Sequence, residues 1–363
     1  MTEREQQILA ILRDEPLIPQ QELADRLGIS RSAVAGHIMN LMQKGRILGK
    51  GYILAQQQYV LLIGGANMDI CGSTAQVLQR GDSTPGHIRC SPGGVARNIA
   101  ENLARLGNDA RLLTVVGDDL YGRTLLEATH KAGVDVRDAW LLPDEATSTY
   151  LSLHGPDGDM AVAVNDMDIL QRLGPERLAD KLERLRHAAA LVIDCNLPED
   201  SLQWIFAHRG TQPVFADTVS AHKCQRLRPW LAHIHTLKPN RLEAEALSGL
   251  PLANSDDAWR VADWFHAQGV QQLVLSQGEG GVCWSRSDGT RGQLAAAQVA
   301  VVNATGAGDA LMAGIVHGQL QGWTLADSLP FAQACAALTL GSSATNHPSL
   351  STTAVETWLA QHA

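Results

Sequence analysis

Short, mostly apolar runs that end in glycine or a charged residue recur through most of this chain, and they restrict its fold more than any other feature. Tyr59-Val60-Leu61-Leu62-Ile63-Gly64-Gly65, Leu112-Leu113-Thr114-Val115-Val116-Gly117, Leu191-Val192-Ile193-Asp194, Pro213-Val214-Phe215-Ala216-Asp217 and His235-Thr236-Leu237-Lys238 read as strands, the first as one buried on both faces. Stretches rich in Leu and Ala separate the later runs, and this alternation predicts a parallel sheet with helices on both faces. Ligands of such sheets bind beyond the carboxyl ends of the strands. At 363 residues the chain suits one large α/β domain plus a minor module, and a hydrophobic fraction of 45% supplies a sizeable core.

The most informative turn is Asn303-Ala304-Thr305-Gly306-Ala307-Gly308-Asp309, between the apolar run Val299-Ala300-Val301-Val302 and the helical stretch from Ala310 to Gly322. It reads as strand, glycine-rich turn, helix. Gly306 and Gly308 let several backbone N–H groups converge, and the helix start adds its own N–H groups and positive dipole end. That combination suits an anion. Asp309 would repel a phosphate there, so its carboxylate needs another task, such as taking the proton from a hydroxyl that attacks a phosphoryl group. The alternative is an Asp that caps the helix, with glycines that only turn the chain.

Other stretches carry the same two-sided reading. Asn67 and Asp69 follow the first strand; Asp69 could accept from two vicinal hydroxyls, or form an Asx turn. Gly93-Gly94 precede a helix holding Asn98, placed either for a sugar hydroxyl or as an ordinary turn and an exposed amide. Thr147–Leu153 and Met160–Val164 flank Gly155-Pro156-Asp157-Gly158 as a β-hairpin, a lid, with Asn165 and Asp166 after it. Asn240 and Glu243, three apart at a helix start, suit hydrated magnesium and phosphate, or equally a capping box. Leu273–Gln277, Gly278, Gly281 and Val282 form strand, glycine turn and strand.

Residues 1–55 read as a separate module. A helix with Ile8, Leu9, Ile11 and Leu12 inward, a second from Gln20 to Leu27 closed by Gly28, and a third capped by Ser30 and running to Gln43 precede a small wing, Arg46–Leu54. This is the plan of major-groove readers, and Leu23–Val34 resembles winged helix-turn-helix domains of bacterial regulators. Arg31, Ser32 and His37 are candidates for base or phosphate contacts, and Lys44, Arg46 and Lys50 for phosphates. A three-helix docking or dimerisation module is the other reading. Residues 1–50 hold seven Lys/Arg against six Asp/Glu, a net of +1, which leaves −10 for the rest. Gln56–Gln58 serve as linker, and residues 59–363 as the main domain.

The formal net charge of −9 argues against nucleic-acid binding by the whole surface. Six cysteines lie far apart with no Cys-x-x-Cys pair, which fits neither a disulfide framework nor a zinc site. The charged N-terminus lacks the apolar core of a signal peptide, and no apolar run approaches membrane-spanning length. The expectation is a cytoplasmic protein with no membrane partner.

Taken in order, Asn-x-Asp after the first strand, Gly-Gly-x-x-x-Asn, Asn-x-x-Glu, Ser-x-Gly-x-x-Gly and Thr-Gly-Ala-Gly-Asp resemble the ribokinase-like (PfkB-type) carbohydrate and nucleoside kinases over residues 59–363. The resemblance implies a three-layer α/β/α fold with a small β lid. It also implies transfer from ATP with Mg2+, and Asp309 as base with Gly306, Ala307 and Gly308 as anion hole. Asn67, Asp69, Gly93, Gly94, Asn98, Asn165 and Asp166 would meet the acceptor. Asn240, Glu243, Ser276, Gly278, Gly281 and Thr305 would meet the nucleotide, with Glu243 reaching magnesium through water. Family members use a monovalent cation such as K+ beside the turn; Asn303 stands where many have Asp. The runs Gly93–Ala100, Asn165–Met167 and His235–Glu245 are similar to the pseudouridine kinases of bacteria, which implies a ribonucleoside 5′-hydroxyl as acceptor. A homodimer is expected.

Overall fold

The computed structural model describes residues 1–47 and 58–362. The chain forms two compact units, Met1–Gln58 and Tyr59–Ala363. In the first, α1 (Glu3–Asp14) starts with a capping box between Thr2 and Glu5. α2 (Gln20–Leu27) ends at Gly28 in the left-handed region, φ 62°, and α3 (Arg31–Gln43) starts at Ser30, whose side chain accepts from Ala33 N. Ile8, Leu12, Leu23, Val34 and Leu41 are fully buried between the three helices. Lys44 differs from expectation. Its Nζ lies 2.8 Å from both oxygens of the buried Glu5, whose pKa it lowers, so this exposed ammonium already has a partner within the unit. Lys50 and the wing beyond Ile47 lie outside the described residues.

The second unit runs β1 (Tyr59–Ile63), β2 (Asn67–Ser73), β3 (His87–Gly93), α4 (Val95–Arg105), β4 (Asp109–Leu113), β5 (Val115–Gly117), α5 (Leu120–Lys131), β6 (Trp140–Leu142), β7 (Thr149–His154) and β8 (Met160–Asp166). It continues with α6 (Pro175–Ala179), α7 (Leu182–His187), β9 (Ala190–Asp194), α8 (Glu199–His208), β10 (Val214–Asp217), β11 (Thr236–Lys238), α9 (Arg241–Ser248), α10 (Ser255–Ala267), β12 (Gln272–Ser276), β13 (Val282–Arg286) and β14 (Arg291–Leu294). The helices α11 (Ala307–Leu320), α12 (Leu325–Leu340) and α13 (Thr352–His362) complete it.

The main sheet has the order β14-β13-β12-β11-β10-β9-β1-β4, parallel from β4 to β12 and antiparallel at β13 and β14. Residues alternate across it as strand geometry requires. Leu61, Ile63, Leu191 and Ile193 face one core with α8, α9 and α10, while Val60, Leu62, Ala190 and Val192 face another with α4, α11 and α12. β1 has β4 on one side and β9 on the other, so the chain reverses its winding there, and a crevice opens at the carboxyl ends.

Three elements depart from the sequence reading. Val299–Val302 join no strand ladder; Val301 and Val302 are 62% and 61% exposed, and Val302 N donates to Leu340 O. Val299 and Val301 line a cleft, a role that hydrophobicity alone does not distinguish from a buried strand. The lid has four strands, in the order β3-β2-β7-β8. β3 ends in Pro92-Gly93, which hides it from strand propensity yet suits an edge. The run from Leu112 to Gly117 breaks at Thr114, whose Oγ1 donates to Gly64 O and so ties the gap to the end of β1.

Candidate active site

The carboxyl ends of the strands border a cleft of about 1020 Å3. It is lined by the polar residues Asp217, Lys238, Asn240 and Glu243, by the turn from Gly306 to Asp309, and by apolar residues including Val299, Val301, Ala336 and Leu340. Such a mixed lining fits a ligand with both charged and apolar parts.

Gly306 sets the geometry of the turn. It precedes α11 at φ 85°, and a Cβ there would stand 1.9 Å from the carbonyl oxygen of Thr345, so no larger residue fits. The unpaired N–H groups of the first helical turn follow directly. Lys238 adds a fixed positive charge: a Cβ on Gly308 would lie 3.4 Å from its Nζ. The ammonium is buried and pairs with Asp217 Oδ2 at 2.9 Å. Burial disfavours its charge, but Asp217, Asp309 and Glu243 outweigh that and raise its pKa.

Asp309 is the third residue of α11, half-buried, and its Oδ2 accepts from Asn98 Nδ2 at 2.9 Å. Burial, then the charge of Asp217, push its pKa up to about 8, against the pull of Asn98 and Lys238. A carboxyl that titrates near working pH suits transfer of a proton in either direction.

Glu243 and Asn240 form the capping box that was one of their two readings: Asn240 N donates to Glu243 Oε2 at 2.8 Å and Glu243 N to Asn240 Oδ1 at 3.0 Å. Thr218 Oγ1 also donates to Glu243 Oε2, at 2.5 Å. Both residues nonetheless border the cleft, and Glu243 Oε1 has no hydrogen-bond partner among the described residues. Asp217-Thr218 thus has a visible role: Asp217 holds Lys238, Thr218 holds Glu243, and Asp217 Oδ1 accepts from the N–H of Val219, which sits at φ 60°.

On the opposite side of Asp309, Asn67 Nδ2 donates to Asp69 Oδ1 at 2.6 Å. The strand register puts Asp69, Ser91, Tyr150 and Asn165 in one rank on one face of the lid. Asp166 falls on the other face, where Oδ1 accepts from Asp168 N at 3.4 Å. The glycine pair serves protein packing first. A Cβ on Gly93 would strike the Asp69 carboxylate at 2.2 Å, and one on Gly94, at φ 100°, would strike Gly65 O at 2.5 Å. Asp194, which no motif marks, pins this region. Its fully buried carboxylate accepts from Gly65 N, Ala96 N and Asn196 N at 2.8, 3.0 and 2.8 Å.

Of the residues expected to meet a nucleotide, Ser276, Gly278 and Gly281 border the cleft. A Cβ on Gly278 would meet open space, whereas one on Gly281 would strike Leu294 O, so the second glycine is fixed by contact with β14. Thr305 is exposed, and its N–H donates to Asn303 Oδ1 at 3.0 Å, an Asx turn. Asp217, Lys238, Asp194 and Arg97 are the site residues that motif reading missed. The first three share one signal, a charged residue closing an apolar strand at its carboxyl end.

Residues 57–353 match the model of the pfkB family carbohydrate kinases. The chain belongs to that family. Residues 1–47 of this pfkB kinase match a winged helix-turn-helix DNA-binding model. It is 47% identical over 351 residues to the uncharacterized sugar kinase YeiI of Escherichia coli K12, covering 97% of each chain. It is also 47% identical over 298 residues to the pseudouridine kinase of that organism, covering 82% of this chain and 95% of that one. A carbohydrate kinase from Agrobacterium tumefaciens superposes at TM-score 0.72 with 29% identity, over 84% of this chain and 97% of that one. Arabidopsis thaliana ribokinase complexed with ribose and ATP does so at 0.74 with 22% identity, over 84% and 99%, which bears on the fold alone. The pfkB kinase is thus a sugar or nucleoside phosphotransferase with a hydroxyl acceptor. Among the described residues no helix is long and apolar enough to cross a membrane.

Proposed function

We propose that this kinase transfers the γ-phosphoryl group of ATP to the 5′-hydroxyl of a ribonucleoside, with pseudouridine the foremost acceptor. The placement of Asp309 carries the reading. It stands at the start of α11 between a cationic anion pocket and the Asn98–Asp69 side, where a diol would be held. Asp309 takes the proton of the hydroxyl as its oxygen attacks the γ-phosphorus. The bond from that phosphorus to the bridging oxygen breaks, and ADP leaves. The N–H groups of Gly306, Ala307 and Gly308, with Lys238, stabilise the charge that develops on the transferring group. The likeness to the E. coli pseudouridine kinase supports the choice of acceptor.

The donor set fits magnesium. Glu243 offers the free Oε1 as a hard oxygen, and the described residues contain no cluster of three or more acidic, His or Cys ligands. The ion would therefore keep waters and phosphate oxygens as its other ligands. Asn303 Oδ1 accepts from Thr305 N, and no step of the reaction is assigned to K+.

Purified protein with ATP and magnesium, offered pseudouridine, uridine, inosine and ribose in parallel, tests the reading. The highest kcat/KM is expected with pseudouridine; a preference for ribose or inosine overturns the acceptor assignment. The match over residues 1–47 supports DNA binding through α3 and the turn after it, where Arg31 and Arg46 respectively are exposed and make no ion pair among the described residues. Ser32 and His37 lie on the same helix. A homodimer through the lid is part of the same reading. Its outer face carries Ile88, Leu151, Val162 and Val164, 78%, 40%, 51% and 62% exposed, and no charge in the two ranks they occupy. A second copy can cover such a face without like-charge contact. Sedimentation showing only monomer at micromolar concentration removes the dimer.

A further inference from the structure

Asn98 is an amide, and an amide can face Asp309 in two ways. With Nδ2 toward the carboxylate it donates and favours the ionised form; turned over, Oδ1 would face Asp309 and favour the protonated one. The surroundings allow only the first. Arg97 Nη1 donates to Asn98 Oδ1 at 3.1 Å, which leaves Nδ2 to donate to Asp309 at 2.9 Å. Arg97 is itself buried and held from several sides. Nε donates to Thr129 Oγ1 and Nη1 to Asn346 Oδ1, while Nη2 pairs with Glu101, which Arg105 also holds. Asn346 Nδ2 in turn donates to the backbone oxygen of Asn98.

The geometry points to Arg97 as a positioning residue that acts on the catalytic base through Asn98, fixing the amide so that Asp309 is always met by a donor. Arg97 makes no hydrogen bond to Asp309 itself; its hydrogen-bonded route to that carboxylate runs through the amide. A guanidinium is suited to the task because its several donors are fixed in one plane and it carries no acceptor that could reverse the amide. The charged groups acting on Asp309 are Asp217 on β10, Lys238 on β11 and Asp194 on β9; on α4, Arg97 and Glu101 pair with each other. None of the three on the sheet depends on Asn98, so a change at Arg97 is read against a constant background. The inference rests on Asp309 being the base of the proposed reaction.

The test is a double-mutant cycle on the full chain, with Arg97→Met, Asn98→Ala and the pair, read as the pH profile of kcat/KM. Each single variant is expected to move the acid limb upward by about one pH unit, so that activity at pH 7 falls about tenfold and recovers toward pH 9. The double variant is expected to shift no further than Asn98→Ala alone, because Arg97 acts only through that amide. A uniform loss at every pH with an unmoved limb, or additive shifts, overturns the inference and leaves Arg97 a packing residue. If Arg97→Met does not fold, Arg97→Lys, which keeps a cation for Glu101, enters the cycle with the same criteria. The Asp309 carboxyl carbon, titrated by NMR in the same variants, reads the shift without turnover. A moved titration in a protein that phosphorylates nothing would keep the relay and remove the kinase reading; an unmoved one removes the relay.

Discussion

Replacing Asp309 by Asn separates the chemistry of this site from its packing. Asn keeps an oxygen that can accept from Asn98 Nδ2, and it removes the charge that takes the proton. Loss of a general base costs about 10²–10⁴ in kcat. In the wild type, a base that titrates at about 8 must be ionised to act, so kcat/KM falls about tenfold for each pH unit below that value, and pH 6 lies about a hundredfold under the plateau. That limb is absent in the variant. Stability moves the other way. The ordinary carboxyl value of 3.8 holds in the unfolded chain, and about 8 in the folded one. Below both values Asp309 is protonated in either state and costs nothing. Between them the unfolded chain ionises first, and above about 8 the cost is complete. The gap between the two values sets a ceiling of about 6 kcal/mol, which solvent in the open cleft reduces to about 1–3 kcal/mol. The variant should therefore melt a few degrees above the wild type at pH 9 and close to it at pH 4. Coupled ADP release across pH and calorimetry at the two pH values check this. A folded Asp309→Asn protein with undiminished kcat refutes the role of base, and equal melting at pH 9 refutes the raised pKa.

Three further perturbations probe the rest of the site. Asp69→Ala should raise KM for the acceptor about tenfold or more while KM for ATP stays within twofold, the loss of a charged hydrogen-bond acceptor; initial rates against each substrate decide, and an unchanged acceptor KM counts against the diol anchor. Glu243→Gln keeps an oxygen for Asn240 N and Thr218 Oγ1 but lowers the charge, so the melting temperature should hold while the magnesium concentration for half-maximal rate rises several-fold; unchanged magnesium dependence would confine Glu243 to capping. Gly306→Ala places a methyl 1.9 Å from Thr345 O at a φ of 85°, and should cost about 2 kcal/mol or more together with most of kcat. Denaturant melts and turnover read it, and a variant as stable and active as the wild type would show that the turn has room.

The main sheet was legible because β1, β9 and β10 spell their burial in nearly continuous apolar runs, and because the intervening helices fix parallel order. The turn at Gly306–Asp309 was legible from its own residues, two glycines and an Asp at a helix start, although no strand precedes it. What stayed hidden depends on pairing across the chain. β3 carries Pro92 and Gly93 and is a strand only because β2 lies beside it. Val299–Val302 looks like a buried strand and is an exposed lining, since nothing local records the absence of a neighbour. Lys44 looks like a phosphate contact until Glu5, on a different helix, is seen to hold it. Gly93 and Gly281 read as ligand-facing glycines, yet the contacts that forbid a side chain come from Asp69 and Leu294 O. The four strand-end or buried charges, Asp194, Asp217, Lys238 and Arg97, are ordinary residues in one dimension and become a site only when four elements meet.

Asp194 has one consequence for movement. It clamps Gly65, just before lid strand β2, and Ala96, just after lid strand β3 meets α4. Both roots of the lid on that side are thus nailed to a single point in the sheet. A lid that swings about this fulcrum carries Asp69 with it and leaves Asn98 and Asp309 where they are. Under the proposed reading the two sides of the acceptor site are then separately anchored, Asp69 on the lid and Asn98 on α4, so the span between them is set by the angle of the lid at Asp194.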